Sequence, residues 1–331
     1  MKDWNGRNNI DFNIQKGHRY AVSFFGATKR RHIMPTLNKT ATTVKEMLQD
    51  ITAFLIDDAN FTAGNAWKLL RPAAVTEDTT EVILCGVGDG KDEIYIGMKI
   101  KDADGGQENF LLNGFCGYDE HLEWFEQPGA IYRDTLPCMT FARDVRMMYW
   151  VTANTSRVTI HVEMSNRYEA AYLGFFIPVA VERQYPYPMA VGGSAYDGVK
   201  WSDKDAGHSV YTTPRLFAGY SSLCVRRPDG VWRYGGKELS VWPTDVKPVD
   251  TLTVYKKAQE EASMEDHMLF PMLLYESDPV GILGQFDGLY WIGNRADLAV
   301  KDTVLYKDKP YKIFNNVFRR DDDEYHAVEW A

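Results

Sequence analysis

The amino-acid sequence predicts an α+β protein, predominantly antiparallel β, with one amphipathic helix and a β-rich C-terminal unit. Two long stretches, Val82–Phe115 and Met147–Met164, consist of β-branched and aromatic runs broken by Gly, Asn and Asp turns, the signature of hairpins. One segment, between Thr40 and Asp58, carries apolar residues at helical spacing. Aromatic residues make up 13% of the chain, with 19 Tyr and 9 Trp, which suits a β-rich fold with broad contact surfaces.

Residues 1–39 show little periodicity beyond a short strand expected at Tyr20–Phe25, and Lys29-Arg30-Arg31-His32 leads into Pro35. They read as a basic N-terminal arm or an extended edge segment. In the helix expected over Thr40–Asp58, Thr43 and Glu46 form a Thr-x-x-Glu capping box that satisfies two free amide donors at the start. Val44, Met47, Leu48, Ile51 and Leu55 form its apolar stripe, which must pack on the sheet that follows. That sheet begins with Trp67–Leu70 ahead of Pro72. It continues as Val82–Val87 and Glu93–Ile100 around Gly88-Asp89-Gly90, and then Phe110–Phe115 after the Asp102–Gly106 turn.

The stretch Met147–Ser194 is the one around which the chain is organised. Met147–Thr152 and Val158–Met164 form a hairpin about Ala153-Asn154-Thr155-Ser156, whose residues favour turns. Val158, Ile160, Val162 and Met164 alternate with Thr159, His161 and Glu163, the pattern of a strand with one buried face. Tyr168, Ala171, Tyr172, Phe175 and Phe176 fall at helical spacing, whereas Gly174 and Pro178 oppose a long helix, so this piece is open to either reading. Tyr185-Pro186-Tyr187-Pro188 is expected to be a stiff extended strap, suited equally to a subunit boundary and to closing the molecule's own core.

Tyr196–Trp242 is loop-heavy, with a hairpin around Pro228-Asp229-Gly230; Lys256–Met268 is polar with helical character, and Phe270–Tyr275 is a short apolar run. Leu289–Ile292, Val304–Tyr306, Tyr311–Phe314 and His326–Trp330 are strand candidates of the C-terminal unit. The expected organisation is an arm at 1–39, a β-rich main domain with its helix at 40–285, and a β unit at 286–331 packed on that domain.

A chain of 331 residues can bury a sizeable core, and its 45% hydrophobic and 25% charged content is that of an ordinary soluble globular protein. The net charge of −9 argues against general nucleic-acid binding. Its distribution is uneven: residues 1–39 carry eight Lys/Arg against two Asp/Glu, a net of +6, and the remainder carries −15. A basic arm on an acidic body fits docking on an acidic neighbouring copy, with nucleic acid as the less favoured partner. The N-terminus lacks an apolar signal-peptide core and no run reaches transmembrane length, so neither secretion nor a membrane partner is expected. Cys85, Cys116, Cys138 and Cys224 are scattered without a Cys-x-x-Cys pair, which predicts free thiols.

Several motifs suggest chemistry, and each has a plainer reading. Gly86-Val87-Gly88-Asp89-Gly90 resembles a phosphate loop, but such a loop needs a helix next, and Glu93–Ile96 reads as a strand; a hairpin turn is expected. Asp119, Glu120, Glu123 and Glu126 could supply a carboxylate pair for glycoside hydrolysis, with Trp124 stacking on sugar; a solvated acidic loop or a subunit contact is the favoured reading. Cys116, His121 and Cys138 lack paired metal-ligand spacing, and Asp102-Ala103-Asp104-Gly105 lacks the closing glutamate of a calcium loop, Asn113 standing at that position. Neither a catalytic centre nor a cofactor or metal is therefore expected.

The segments Asn113–Tyr118, Gln127-Pro128-Gly129, Tyr149–Asn154, Tyr168–Phe176, Tyr185–Pro188 with Gly192-Gly193-Ser194, and Phe314–Arg319 together resemble a family of tailed-bacteriophage virion structural proteins. The resemblance spans about residues 40–331 in one order. It implies a tail, neck or baseplate component, assembled in the bacterial host cytoplasm and residing in the virion, whose partners are copies of itself and other virion structural proteins. The family has no catalytic residues to carry over. On this reading the subunit-contact candidates are Lys29, Arg30 and Arg31 in the arm, Trp124 in the acidic loop, and Tyr185 and Tyr187 in the strap. A glycan- or host-receptor-binding module, using Trp and Tyr to stack on sugars, is the alternative function, and a carbohydrate-cleaving enzyme is the second alternative.

Overall fold

The computed structural model describes residues 34–62, 64–88, 92–103, 105–132, 136–165, 167–181, 184–201, 216–217, 220–235, 239–242, 268–276, 281–292, 298–315 and 325–330. The first half of the chain folds as β1 (Thr36–Ala41), α1 (Val44–Ile56), β2 (Lys68–Arg71), β3 (Glu81–Gly86), β4 (Ile94–Ala103), β5 (Gln107–Phe115), β6 (Pro137–Ala142), β7 (Met147–Ala153) and β8 (Arg157–Met164). The middle follows as β9 (Arg167–Phe175), β10 (Ile177–Pro178), β11 (Met189–Gly193), β12 (Ala195–Tyr196), β13 (Leu216–Phe217), β14 (Tyr220–Ser221), β15 (Leu223–Arg226), β16 (Trp232–Tyr234) and β17 (Leu239–Trp242). The chain closes with β18 (Phe270–Glu276), β19 (Gly281–Ile292), β20 (Thr303–Tyr306), β21 (Lys309–Asn315) and β22 (Tyr325–Glu329). The protein is thus mostly antiparallel sheet with a single described α-helix, the class expected of it.

Three large sheets are stacked. The central one has the order β1-β7-β8-β9-β11-β15-β16. A second, β12-β6-β5-β4-β3-β2, covers one of its faces together with α1. A third, β17-β18-β19-β22-β21-β20 with β10 joined to β19, covers the other. The alternation of side chains along a strand makes this possible. In β7, Tyr149 and Val151 enter the core shared with the second sheet and α1, whereas Trp150 enters the core shared with the third.

Covering both faces corrects one expectation. Val158, Ile160, Val162 and Met164 are buried as predicted, in the core shared with the second sheet, but Arg157, Thr159 and His161, on the opposite face of β8, are also buried. Their polar character marks a second interface, and solvent does not reach it. Tyr168–Phe175, open between helix and strand, is strand β9, paired in register with β8 and β11. A helix there could not have continued the ladder that these neighbours supply on both sides.

The helix starts later than expected, because Thr40 and Ala41 close β1. Thr43 caps it, its hydroxyl accepting from the Glu46 amide at 3.1 Å, and the Glu46 carboxylate reaches back one residue further than anticipated, to the Thr42 amide at 2.8 Å. Val44, Met47, Leu48, Ile51 and Leu55 are all buried in one core with Val82, Leu84 and Ile96. Tyr149 fastens the helix to the central sheet through a 2.5 Å bond from its hydroxyl to Asp50.

The expected hairpins lie at β3–β4, β7–β8 and β15–β16, and the last of these turns at Pro228-Asp229-Gly230. The anticipated strand at Tyr20–Phe25 and the helical character of Lys256–Met268, Met268 itself excepted, fall outside the described residues. Phe286, the first residue of the expected C-terminal unit, lies inside β19, which pairs with both β18 and β22.

Ile51 has no solvent exposure. Replacing it with Ala should cost roughly 2–5 kcal/mol, read as a lowered denaturation midpoint with an unchanged slope; a surface-like effect would show that the helix face is not packed.

Candidate functional site

The candidates from the sequence fall in three kinds of place. Lys29, Arg30 and Arg31 lie outside the described residues. Trp124 is fully buried, so it offers no surface to a sugar or a neighbouring subunit. Its indole N–H donates to the Val82 carbonyl at 3.2 Å, and its ring meets Phe115 and Phe125 edge-on. The acidic loop is built around that anchor: Gln127 accepts from the Asp119 amide and donates to the Asp119 and Leu122 carbonyls, all at 2.9 Å. Glu120, Glu123 and Glu126 point outward from it as exposed residues.

The Tyr-Pro-Tyr-Pro strap is a bend instead of an extended run. Tyr187 adopts the left-handed region at φ 55°, and the Gln184 and Tyr185 amides both fold back onto the Val181 carbonyl. Tyr185 points inward, with its hydroxyl donating to the Arg226 carbonyl at 2.8 Å and its ring edge-on to Phe176. Tyr187 is half-buried: it donates to the Glu93 carbonyl at 2.9 Å, and Arg226 lies over its ring. Its contacts too are within the molecule.

The remaining motifs resolve as architecture. Gly86 sits where a Cβ would meet the Thr155 carbonyl oxygen at 2.7 Å and the Trp67 ring at 2.9 Å, so the glycine permits a close approach between sheets. Asp102 pairs with Arg143 at 2.5 Å, and Asp104 is outside the described residues. Cys138 is buried in β6 while His121 is exposed. Among the described residues no group of three His, Cys, Asp or Glu is placed to hold a metal ion, and no helix is long and apolar enough to cross a membrane.

Two features were not singled out from the sequence. One is a strip of uncovered aliphatic side chains, Ile177, Val179 and Val181 at 47, 67 and 64% exposure, beside Ile282 at 44%. The two segments are joined where the Val179 amide donates to the Leu283 carbonyl at 3.0 Å. The signal was present in the apolar run Phe176–Val181, which carries no polar residue to mark a solvent side.

The other is a chain of polar contacts between the central and third sheets. Arg157 has no solvent exposure; its Nε donates to Asp287 of β19 at 3.0 Å and its terminal nitrogen to Thr152 at 2.8 Å. Burial alone would favour the neutral guanidine, but the Asp287 carboxylate and its hydrogen bond, together with Tyr172 and Glu329, outweigh it and hold Arg157 more firmly charged than usual. Thr152 and Thr159 share a 2.7 Å bond, His161 meets His326 of β22 at 2.9 Å, and Glu163 accepts from Tyr168 and Lys301.

On the opposite face of the central sheet, Glu169 of β9 is buried and accepts from the Thr140 amide of β6 at 3.2 Å. Burial pushes its pKa up to about 8, the Thr140 amide only partly opposing this. Neither a protein-family model nor a curated protein matches the sequence.

Because Glu169 binds its proton more tightly folded than unfolded, its contribution is full below about pH 4.5 and is lost as pH rises through about 8. Relative to Glu169→Gln, the wild type should lose on the order of 1 kcal/mol per pH unit between pH 6 and 8 in chemical denaturation; parallel profiles would contradict the assignment. Tyr185→Ala should lower stability by roughly 3–5 kcal/mol, and Tyr187→Ala by less than half of that. Thermal unfolding of the two variants side by side tests this ordering.

Proposed function

We propose that this chain is a non-enzymatic structural subunit of a tailed-phage virion, a tail, neck or baseplate component, that acts by assembling with copies of itself and with other virion proteins. The observation that carries the reading is the aliphatic strip Ile177, Val179, Val181 and Ile282. Large aliphatic side chains this exposed, gathered on two adjoining segments, gain stability by being covered. Covering four such side chains is worth several kcal/mol, at about 25 cal/mol per Å² of apolar surface removed from water.

The segments that carry the resemblance to virion proteins supply a second support. Asn113 is buried, its side-chain oxygen accepting from the Ile131 amide at 2.9 Å. Gln127 stitches the acidic loop, Trp150 enters the core of the third sheet, and Ser194 bonds the backbone of Ala170. Residues of this kind specify how a framework packs. A shared framework with variable surfaces is what a family of assembly subunits would keep.

The test is the size of the purified protein in solution and of a Val179→Asp, Val181→Asp double variant. Mass photometry should show closed oligomers for the wild type. The variant should dissociate at protein concentrations at least tenfold higher, with an unchanged far-ultraviolet circular dichroism spectrum. A monomeric wild type, or a variant that assembles equally well, would remove the strip as a subunit contact.

A further inference from the structure

Among the polar contacts between the central and third sheets, one brings two imidazoles together. His161 of β8 and His326 of β22 face each other with their Nε2 atoms 2.9 Å apart, and both side chains are buried. Phe314 of β21 is stacked on His161 at a centroid separation of 4.3 Å and an angle of 13°, and Trp150 of β7 closes against Phe314 at 5.3 Å. At that nitrogen separation a single proton lies between the rings: one Nε2–H donates and the other Nε2 accepts. When both rings are protonated, two N–H donors and two positive charges confront each other across the same gap.

We propose that the His161–His326 pair is an acid-sensitive latch that holds the third sheet on the central sheet at neutral pH and releases it when both rings become charged. Charged groups near the pair, among the described residues, have partners of their own. On β8 itself, Arg157 is held by Asp287 of β19, and Glu163 is bonded by Tyr168 of β9 and by Lys301, which precedes β20. On β22, Glu329 is paired with Lys309, and on β21 the Lys312 ammonium lies over Trp330 and donates to the Lys301 carbonyl. From β7 come the neutral side chains of Met148 and Trp150.

The electrostatics have one direction. Burial first, then His326 and the Arg157 charge, hold His161 well below the ordinary histidine range, and burial brings His326 down to about 3. An opened seam would let both rings titrate near their ordinary value of about 6.5. The open state therefore takes up two protons that the closed state refuses, and its share grows as pH falls. The limiting slope is about a hundredfold per pH unit below about 6, continuing until the closed rings themselves titrate. Glu169 responds oppositely. Lying between the central and second sheets, it is more readily accommodated there when protonated, so acid does not loosen that interface through it. Acidification thus separates one pair of sheets selectively.

Hydrogen exchange on the full chain, followed by mass spectrometry between pH 7 and 4.5 and corrected for intrinsic exchange rates, tests the latch. Peptides from β22 should show an opening equilibrium that steepens towards a hundredfold per pH unit below pH 6, while peptides from β3 and β4 stay flat. His326→Gln and, separately, His161→Gln should each reduce the slope to tenfold per unit or less. Imidazole proton resonances of the wild type supply a reading that needs no variant: both rings should remain neutral in the folded protein at pH 5.5. The proposal fails if β22 and β3–β4 open in parallel, if the slope survives in both variants, or if either ring titrates near 6.5 while the seam is closed.

Discussion

The buried guanidinium of Arg157 sets the terms on which the third sheet joins the molecule. A charge removed from water costs several kcal/mol unless its partners are well placed. Here Asp287 and Thr152 occupy two of its donor directions, and Asp287 is itself held by Asn154 at 2.7 Å. The relative placement of the two sheets has to satisfy this set together with His161–His326 and Glu163–Lys301. A purely aliphatic interface would bind more strongly per unit area but would tolerate sliding. The polar chain specifies alignment, and the aliphatic and aromatic residues around it, Leu289, Trp291, Phe314 and Val328 among them, supply the adhesion.

The turn between β7 and β8 links this arrangement to the rest of the protein. Asn154 closes it by accepting from the Ser156 and Arg157 amides at 2.8 Å. Its backbone carbonyl takes the Trp67 indole at 2.9 Å, and the neighbouring Thr155 carbonyl takes the Gly88 amide at 2.9 Å. The Asn154 side-chain amide reaches Asp287 in the third sheet. The glycines that look like a phosphate loop in the sequence thereby have a mechanical explanation: Gly86 leaves space for Trp67 and the turn to meet.

Much of this was legible in the sequence because the local rules agreed with the global fold. The capping box, the stripe from Val44 to Leu55, the alternation of β4 and the Asn154 turn were each locally consistent with the structure that formed. The misread features have a common cause, which is that a one-dimensional pattern does not say what lies opposite. Thr159 and His161 look like a solvent face whether water or a second polar strand faces them. Tyr168–Phe176 fits two periods, and ladder partners on both sides decide between them. Trp124 sits among carboxylates in the chain, but in space it turns inward and they turn outward. Tyr185 and Tyr187 alternate with prolines that would stiffen an extended chain, yet the left-handed backbone at Tyr187 bends it.

Most of the core can exchange one aliphatic side chain for another at a cost of about 1 kcal/mol or a little more. The interface organised by Arg157 has no such latitude, because altering one side leaves a buried charge or donor on the other. Its residues meet across long stretches of chain: 130 positions separate Arg157 from Asp287, 138 separate Glu163 from Lys301, and 165 separate His161 from His326. Drift there has to proceed by matched double changes between remote positions, while the contiguous segments around them are free to diverge. The lasting imprint of this fold on related chains is therefore a set of coupled residue pairs, which no short motif read along the sequence would contain.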